Sequence, residues 1–381
     1  MKKRIFAMIV ICMMMTCTYC SKGESEPDVI IPPTDEPQPE EPQESQITLT
    51  TSRSVGQTIE LTFKKGSMPA EVVGATKENE CTEEYDLMAV TYRLTDQTVI
   101  LKGEIEFLYC DENDLVALDV SKCAGLELLE CSYNEQLKTI DVTNNRALEC
   151  LSASSIGLTK LDLSKNTELL ELLCFDNKLT VIDLSKCTKL YYLLCNNSDL
   201  KELDVSKNLA LEYLYCSDCS LTELDVSKNV ELLEVVCYGN KIKTLDFSKN
   251  HKMTYLYCSE NELTSLIIGN WGVLEYLNCG NNQLSHLDSS GGKVLKTLLC
   301  QRNQLTTLKV DKNNDKLDYI YCCANRLAGE NSTEFVKSLP DRTGLESGKL
   351  YTIADETYVG IDNEFSLSDI EIAQRKNWIV D

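Results

Sequence analysis

Ten cysteines fall on a ruler. Cys110, Cys131, Cys174, Cys195, Cys216, Cys237, Cys258, Cys279, Cys300 and Cys322 are separated by 21 residues, by twice that step, or by a slip of one. Ala153 fills the one gap, following Leu148 and Leu151 as Cys131 follows Leu126 and Leu129, so there are eleven units. The fourth unit is representative: Leu169, Leu172, Cys174, Asn177, Leu179, Ile182, Asp183, Leu184, Ser185, Lys186. A unit this short cannot bury its own apolar face, so each copy must be covered by its neighbours and the chain must stack.

The alternation at Leu172 and Cys174 predicts a short strand that points those two side chains inward and the residue between them outward. The pattern Leu-x-x-Leu-x-Cys-x-x-Asn-x-Leu resembles the leucine-rich repeat with cysteine in its third apolar slot, across residues 105–327. That resemblance implies a curved solenoid with one parallel β-sheet of about eleven 21-residue repeats. Ten steps of about 4.8 Å would make a face about 48 Å long. Open solenoid ends need caps. Alternating Ile47-Thr48-Leu49-Thr50 and Ile59-Glu60-Leu61-Thr62 predict a β-rich N-terminal cap over 46–104. Two helix-start patterns, Asn331-Ser332-Thr333-Glu334 and Ser366-Leu367-Ser368-Asp369, predict an α/β cap over 328–381. The second leads into Ile370, Ile372, Ala373 and Trp378, read as one helical stretch.

Two polar motifs punctuate the repeat. An asparagine follows the cysteine slot by three at Asn113, Asn134, Asn177, Asn240, Asn261, Asn282, Asn303 and Asn325. Its amide can satisfy backbone groups at the corner, each costing about 1–3 kcal/mol if left unpaired. Ile156, Ser198 and Cys219 interrupt this row and predict looser corners there. Further on stand Asp119, Asp141, Asp162, Asp183, Asp204, Asp225 and Asp246, generally followed by an apolar residue, Ser or Thr, and Lys. Aligned carboxylates could form a calcium ladder, but the regular lysines favour turn capping, and no metal is expected.

For the cysteines, disulfides, zinc and a Cys216-x-x-Cys219 redox pair all compete with plain core packing. Neighbouring thiols at strand spacing, about 4.8 Å, are too far apart for the about 3.8 Å between bridged Cβ atoms. Zinc needs ligands converging on one point, whereas this ladder is linear and the chain has only His251 and His286. Small, polarizable, reduced core residues are the expectation. A cysteine ladder on this period is similar to that of internalin-type surface proteins. The resemblance implies an extracellular adhesive or partner-binding role rather than catalysis. Wall-anchored internalins end in a sorting motif and hydrophobic tail; this sequence ends at Asp381 without them, so attachment is expected at the other end.

There, Lys2, Lys3 and Arg4 precede an apolar run from Ile5 to Met15, an export signal over residues 1–19. The following Cys17-Thr18-Tyr19-Cys20-Ser21 resembles the signal of bacterial envelope lipoproteins, which implies lipidation at Cys20, with Cys17 and a plain secretory signal as the alternatives. Residues 20–45 carry six of the eight prolines and a net charge of −7, an extended tether. The expected location is the bacterial cell envelope, lipid-anchored, at the outer membrane and facing either way.

The outward strand positions carry the functional signal. Of 33 such positions, ten are tyrosine, out of 17 in the chain: Tyr109, Tyr192, Tyr213, Tyr215, Tyr238, Tyr255, Tyr257, Tyr276, Tyr319 and Tyr321. Strand propensity alone would favour Val, Ile and Thr equally, yet only Val236 and Thr297 appear. Tyrosine supplies rigid contact area with a hydroxyl, as partner-binding surfaces do. Asp111, Glu130, Glu171 and Glu234 share these positions and no Lys or Arg does, so the face disfavours anions. With a chain charge of −23, nucleic acid is excluded. The expected ligand is a protein or peptide with basic and apolar groups, contacted by Tyr192, Tyr213, Tyr215, Glu234, Tyr238, Tyr255, Tyr257 and Tyr276; a neutral glycan stacked on the rings is the alternative. No cofactor or catalytic constellation is expected, although the short terminal segments leave room for one.

Overall fold

The computed structural model describes residues 44–83, 85–353 and 363–381. The expected export signal, Cys17, Cys20 and nearly all of the expected tether lie outside the described residues. The repeats stack as the periodicity requires. Eleven short strands, from Phe107–Tyr109 to Tyr319–Tyr321, pair in parallel, each rung in register with the rung one unit away: Tyr192 with Tyr213, Tyr213 with Glu234, Glu234 with Tyr255. The inward residues, Leu172 and Cys174 in the fourth unit, are fully buried, and the ten ladder cysteines are buried without exception. One contiguous core runs from Ile47 to Trp378.

Each unit turns out of its strand through a left-handed residue two after the cysteine slot, with φ between 50° (Asp218) and 67° (Gly239) from Glu112 to Ala324. That conformation costs an L-residue about 1 kcal/mol or more; in eight units a corner asparagine follows and bonds the turn, while Ser155, Asn197 and Asp218 keep the same φ without one. Asn134 Nδ2 donates to the carbonyls of Cys110 (3.0 Å) and Cys131 (2.9 Å), while its Oδ1 accepts from the amides of Asn113 (3.0 Å) and Leu115 (2.9 Å). One buried side chain thereby staples two consecutive repeats. At the interruptions, Cys219 Sγ makes long contacts to the carbonyls of Cys195 (3.4 Å) and Ser217 (3.5 Å), and the buried Ser198 hydroxyl has no partner among the described residues.

The far side of each unit is a second wall of turns. Every carboxylate from Asp119 to Asp246 accepts from the amide two residues on, as Asp183 does from Ser185 at 2.9 Å. Local bonding of this kind spends the carboxylate on its own backbone and leaves it with the geometry of a cap.

A second asparagine ladder stands behind the aspartates. Asn145, Asn166, Asn208, Asn229 and Asn250 are buried, and each donates to two carbonyls of the preceding unit, Asn229 to Val205 (2.9 Å) and Asn208 (2.8 Å). Cys123 and Cys187 fill the same slot, fully buried.

Both walls are capped at the N-terminal end. Strands β1 (Gln46–Thr51), β2 (Thr58–Lys64), β3 (Glu71–Val73), β4 (Ala75–Thr82), β5 (Leu87–Leu94) and β6 (Thr98–Lys102) form two layers around Leu49, Leu61, Phe63 and Val90. β2 pairs antiparallel with the first repeat strand, β7 (Phe107–Tyr109), and β1 with β8 (Leu115–Lys122) in the turn wall, so each exposed edge meets its own strand. At the other end, strands Gly348–Tyr351 and Trp378–Val380 continue the parallel sheet. Two helices cover the core beside them, α1 (Glu330–Ser338) and α2 (Leu367–Arg375).

Two cap details differ from expectation. Ser366 and Asp369 form the reciprocal capping box at the start of α2, but α1 begins at Gly329 (φ 59°) without a side-chain cap. Asn331 therefore lies inside α1, and Ser332 and Thr333 bond Asp369 instead, at 3.2 Å and 2.7 Å, tying the helices together. Trp378 is in a strand, because Asn377 (φ 63°) turns the chain after α2; its Nε1 donates to Pro340 O at 2.9 Å.

Candidate functional site

The strand wall places eight of the ten outward tyrosines on one face, Tyr238 lies just past its strand at the corner, and Tyr351 of the C-terminal cap joins the row opposite Tyr321. Tyr109 is the other exception. Leu87, at the start of β5, packs with Tyr109, Leu128 and Cys150 in a small cluster of its own, flanked by Tyr85 and Phe107. Tyr109 is thus covered by the cap rather than presented, a correction that repeat periodicity could not supply because the covering residues lie outside the repeats.

The same cover divides the acids. Glu130 and Glu171 are buried, and Asp111, hydrogen-bonded to Glu130, is pushed up to about 6 by burial. Tyr191 donates its hydroxyl to Glu171. Ser132 donates its amide to Asp111 at 2.5 Å and its hydroxyl meets that of Ser152 at 2.8 Å. The first four strands of the face are therefore a packed, internally bonded surface, and the open face begins at Tyr192.

From Tyr192 onward the rings form clusters. Tyr192 lies 5.9 Å from Tyr213 and 5.4 Å from Tyr215, centroid to centroid. Tyr276 stacks on Tyr257 at 4.5 Å and on Tyr255 at 6.2 Å. A third cluster gathers Tyr319 and Tyr321 around Tyr351, at 5.4 and 5.5 Å. Offset and tilted pairs of this kind hold the rings rigid before any ligand arrives. The rings are half-buried, except for Tyr255, which is 38% exposed.

Glu234 and Val236 separate the first two clusters. In the register row the order is Tyr192, Tyr213, Glu234, Tyr255, Tyr276. Glu234 is half-buried, its carboxyl raised by burial, and it accepts a hydrogen bond from Tyr215. Burial first, then Glu171 and Glu234, push the Tyr192 phenol up to about 12, and burial followed by Glu234 pushes Tyr215 well above its usual value. Both of these phenols stay neutral donors at physiological pH. Tyr238 stands apart, bonded to Asp218 at the corner.

Two features of the surroundings were not read from the sequence. The rim beside the strand starts is laced by ion pairs between neighbouring units: Lys189 with Glu168 (2.5 Å), Lys252 with Glu231, and Lys296 with Glu275 (2.6 Å). The 21-residue spacing of each pair was the available signal. The cap strand Gly348–Tyr351 also brings Lys349 into the outward row beside Tyr319, so the face free of basic residues ends there.

The ladder sulfurs lie inside and have no part in this face. Burial pushes the Cys174 thiol up to about 12 and the Cys195 and Cys258 thiols well above the ordinary value, the reverse of a nucleophile or metal ligand. Among the described residues no group of three or more His, Cys, Asp or Glu side chains has the arrangement of a metal site. His251 and His286 are exposed on the turn wall, His286 Nδ1 lying 2.8 Å from Thr307 Oγ1.

No protein-family model matches the sequence, and no curated protein matches it. Solved structures do. The functional domain of InlJ from Listeria monocytogenes, which includes a cysteine ladder, is 26% identical, aligned over 76% of this chain and 75% of that one, with a TM-score of 0.51. An internalin from the same organism, InlF, is 20% identical over 72% of this chain and 86% of its own, TM-score 0.53. The Arabidopsis receptor kinase HAESA, solved in complex with the peptide hormone IDA and a co-receptor, is 19% identical over 66% of this chain and 46% of its own, TM-score 0.54.

Proposed function

We propose that this chain, an internalin J-like leucine-rich-repeat solenoid with a cysteine ladder, binds a protein or peptide partner on its tyrosine face while held in a bacterial cell envelope by a lipid on Cys20. The observation that carries the reading is the register row of pre-packed rings between Tyr192 and Tyr276, on a wall whose inward side is spent on the core. Rigid aromatics lose little side-chain entropy on docking, and their hydroxyls give direction to an otherwise apolar contact. The reading assigns binding and no catalytic step. The fold also occurs in complex with a peptide hormone in HAESA.

Capture by the full-length protein and by a Tyr213→Ala/Tyr255→Ala variant, from envelope and host extracts in parallel with a neutral glycan array, tests it. Proteins retained by the wild type should fall by about a hundredfold with the variant, the loss expected for two aromatic anchors. Equal capture of every protein by both would refute the assignment of the face, and ring-dependent retention of glycans alone would replace the partner class. The anchor is tested separately: Cys20→Ser should move the protein from the membrane to the soluble fraction.

A further inference from the structure

Of the four acids that share the outward strand positions, three are accounted for by the covered end of the wall. Asp111 bonds Glu130 and the Ser132 amide, and Glu171 receives the Tyr191 hydroxyl. Glu234 alone sits on the open stretch. Its hydrogen-bond partner is the neutral Tyr215, and among the described residues no lysine or arginine pairs with it. On the rim beside the strand starts, Lys189 and Lys252 already bind Glu168 and Glu231. A half-buried carboxylate that nothing neutralises is a standing cost, and such groups are retained where a ligand supplies the opposite charge.

Its neighbours sharpen the chemistry. Tyr213 and Tyr255 are the register partners of Glu234 on the strands either side, so the half-buried acid stands between the Tyr192–Tyr213 and Tyr255–Tyr276 ring pairs. A carboxylate with aromatic rings on both neighbouring strands makes an environment suited to a cationic side chain, above all a guanidinium, which is planar and can stack while bonding the oxygens. Along the row, four strand steps from Tyr192 to Tyr276 span about 19 Å, the length of about six extended residues.

Resting on the partner-binding reading above, we propose that Glu234 seats a single Arg or Lys of the partner, presented by an extended segment lying across the strands, with apolar side chains of that segment on the Tyr192/Tyr213/Tyr215 and Tyr255/Tyr257/Tyr276 clusters. The partner's recognition element is then short: one basic residue with apolar or aromatic residues within about three positions on either side. Specificity and affinity are divided, the rings supplying contact and the carboxylate choosing the charge.

A displayed library of random octapeptides, selected on the immobilised full-length protein, tests this. The wild type should enrich peptides carrying one Arg or Lys among apolar residues. Glu234→Gln keeps an acceptor for Tyr215 and should lose the basic preference by about tenfold or more while still enriching apolar and aromatic residues. Glu234→Lys should turn the preference to Asp and Glu, and Tyr213→Ala/Tyr255→Ala should abolish enrichment of every kind. Thermal melting of each variant confirms that it is folded. Undiminished basic enrichment by Glu234→Gln, or wild-type enrichment indifferent to charge, would overturn the seat and leave peptide binding standing. A wild type that selects no peptide at all would remove both.

Discussion

The two walls of the solenoid use the same side chain in opposite ways. On the turn wall, aspartates from Asp119 to Asp246 each accept from a serine or threonine amide two residues on, and those bonds hold the carboxyls of Asp162, Asp183, Asp204 and Asp225 below their ordinary value. On the strand wall, burial raises the carboxyls of Asp111 and Glu234. An acid already engaged with its own backbone has little left for a ligand, whereas one desolvated beside neutral rings gains from a cation. The regular row, which looks more like a site in sequence, is therefore architecture. The irregular residue, Glu234, marks the surface proposed above for a partner.

The contrast can be strained most by removing a staple. Asn240 Oδ1 accepts from the Leu221 amide (3.0 Å), and its Nδ2 donates to the carbonyls of Cys216 (2.9 Å) and Cys237 (3.1 Å). Asn240→Ala should cost about 3 kcal/mol or more, read from the denaturant midpoint, since it leaves three buried backbone groups unpaired. Removing the exposed carboxylate in Asp225→Ala should shift that midpoint much less. A larger effect for Asp225 would mean that the turn wall, not the buried corner, holds the stack.

Cysteine reactivity is the next lever. The raised thiols of Cys174, Cys237 and Cys279 should stay unlabelled by a neutral-pH thiol reagent in the native protein and react on unfolding. Cys237→Ser, which places a hydroxyl in the apolar column, should destabilise by about 1–3 kcal/mol. Rapid native labelling of the ladder would put the sulfurs on the wrong side of the wall.

The smallest effects are on pH, and their signs differ between walls. The Asp183 carboxyl is depressed in the fold, so its contribution is present above the unfolded value near 3.9 and is lost as pH falls through the folded value. The Asp111 carboxyl is raised to about 6, so its contribution is full below about 3.9 and is lost as pH rises through about 6. In melting curves between those limits, Asp111→Asn should flatten the decline on the neutral side, and Asp183→Asn should soften the acid limb. The same sign for both would erase the distinction between the walls.

Much of this was legible because a solenoid repeats its environment. Period-two alternation placed Leu172 and Cys174 inside and the tyrosines outside, and register carried that assignment along the stack. The second asparagine ladder was equally available, since Asn145, Asn166, Asn208, Asn229 and Asn250 each stand four residues after an aspartate of the row. What could not be read depends on contacts that occur once. Leu87 covers Tyr109 from the cap, and Asn377 redirects the chain so that Trp378 leaves the helix. The left-handed corner was hidden for another reason: residues as unlike as Tyr133, Asp176, Arg302 and Ala324 adopt it, so no residue type at that slot signals it, and Ser155, Asn197 and Asp218 adopt it with no asparagine after them.

The most direct test compares the walls in one binding experiment. With a captured partner in hand, its affinity is measured for Tyr213→Ala/Tyr255→Ala on the strand wall and Asp204→Asn/Asp225→Asn on the turn wall. The predicted result is a loss of about a hundredfold for the first and none for the second. Unchanged affinity for the tyrosine variant, with loss for the aspartate variant, would contradict the assignment of function to the strand wall.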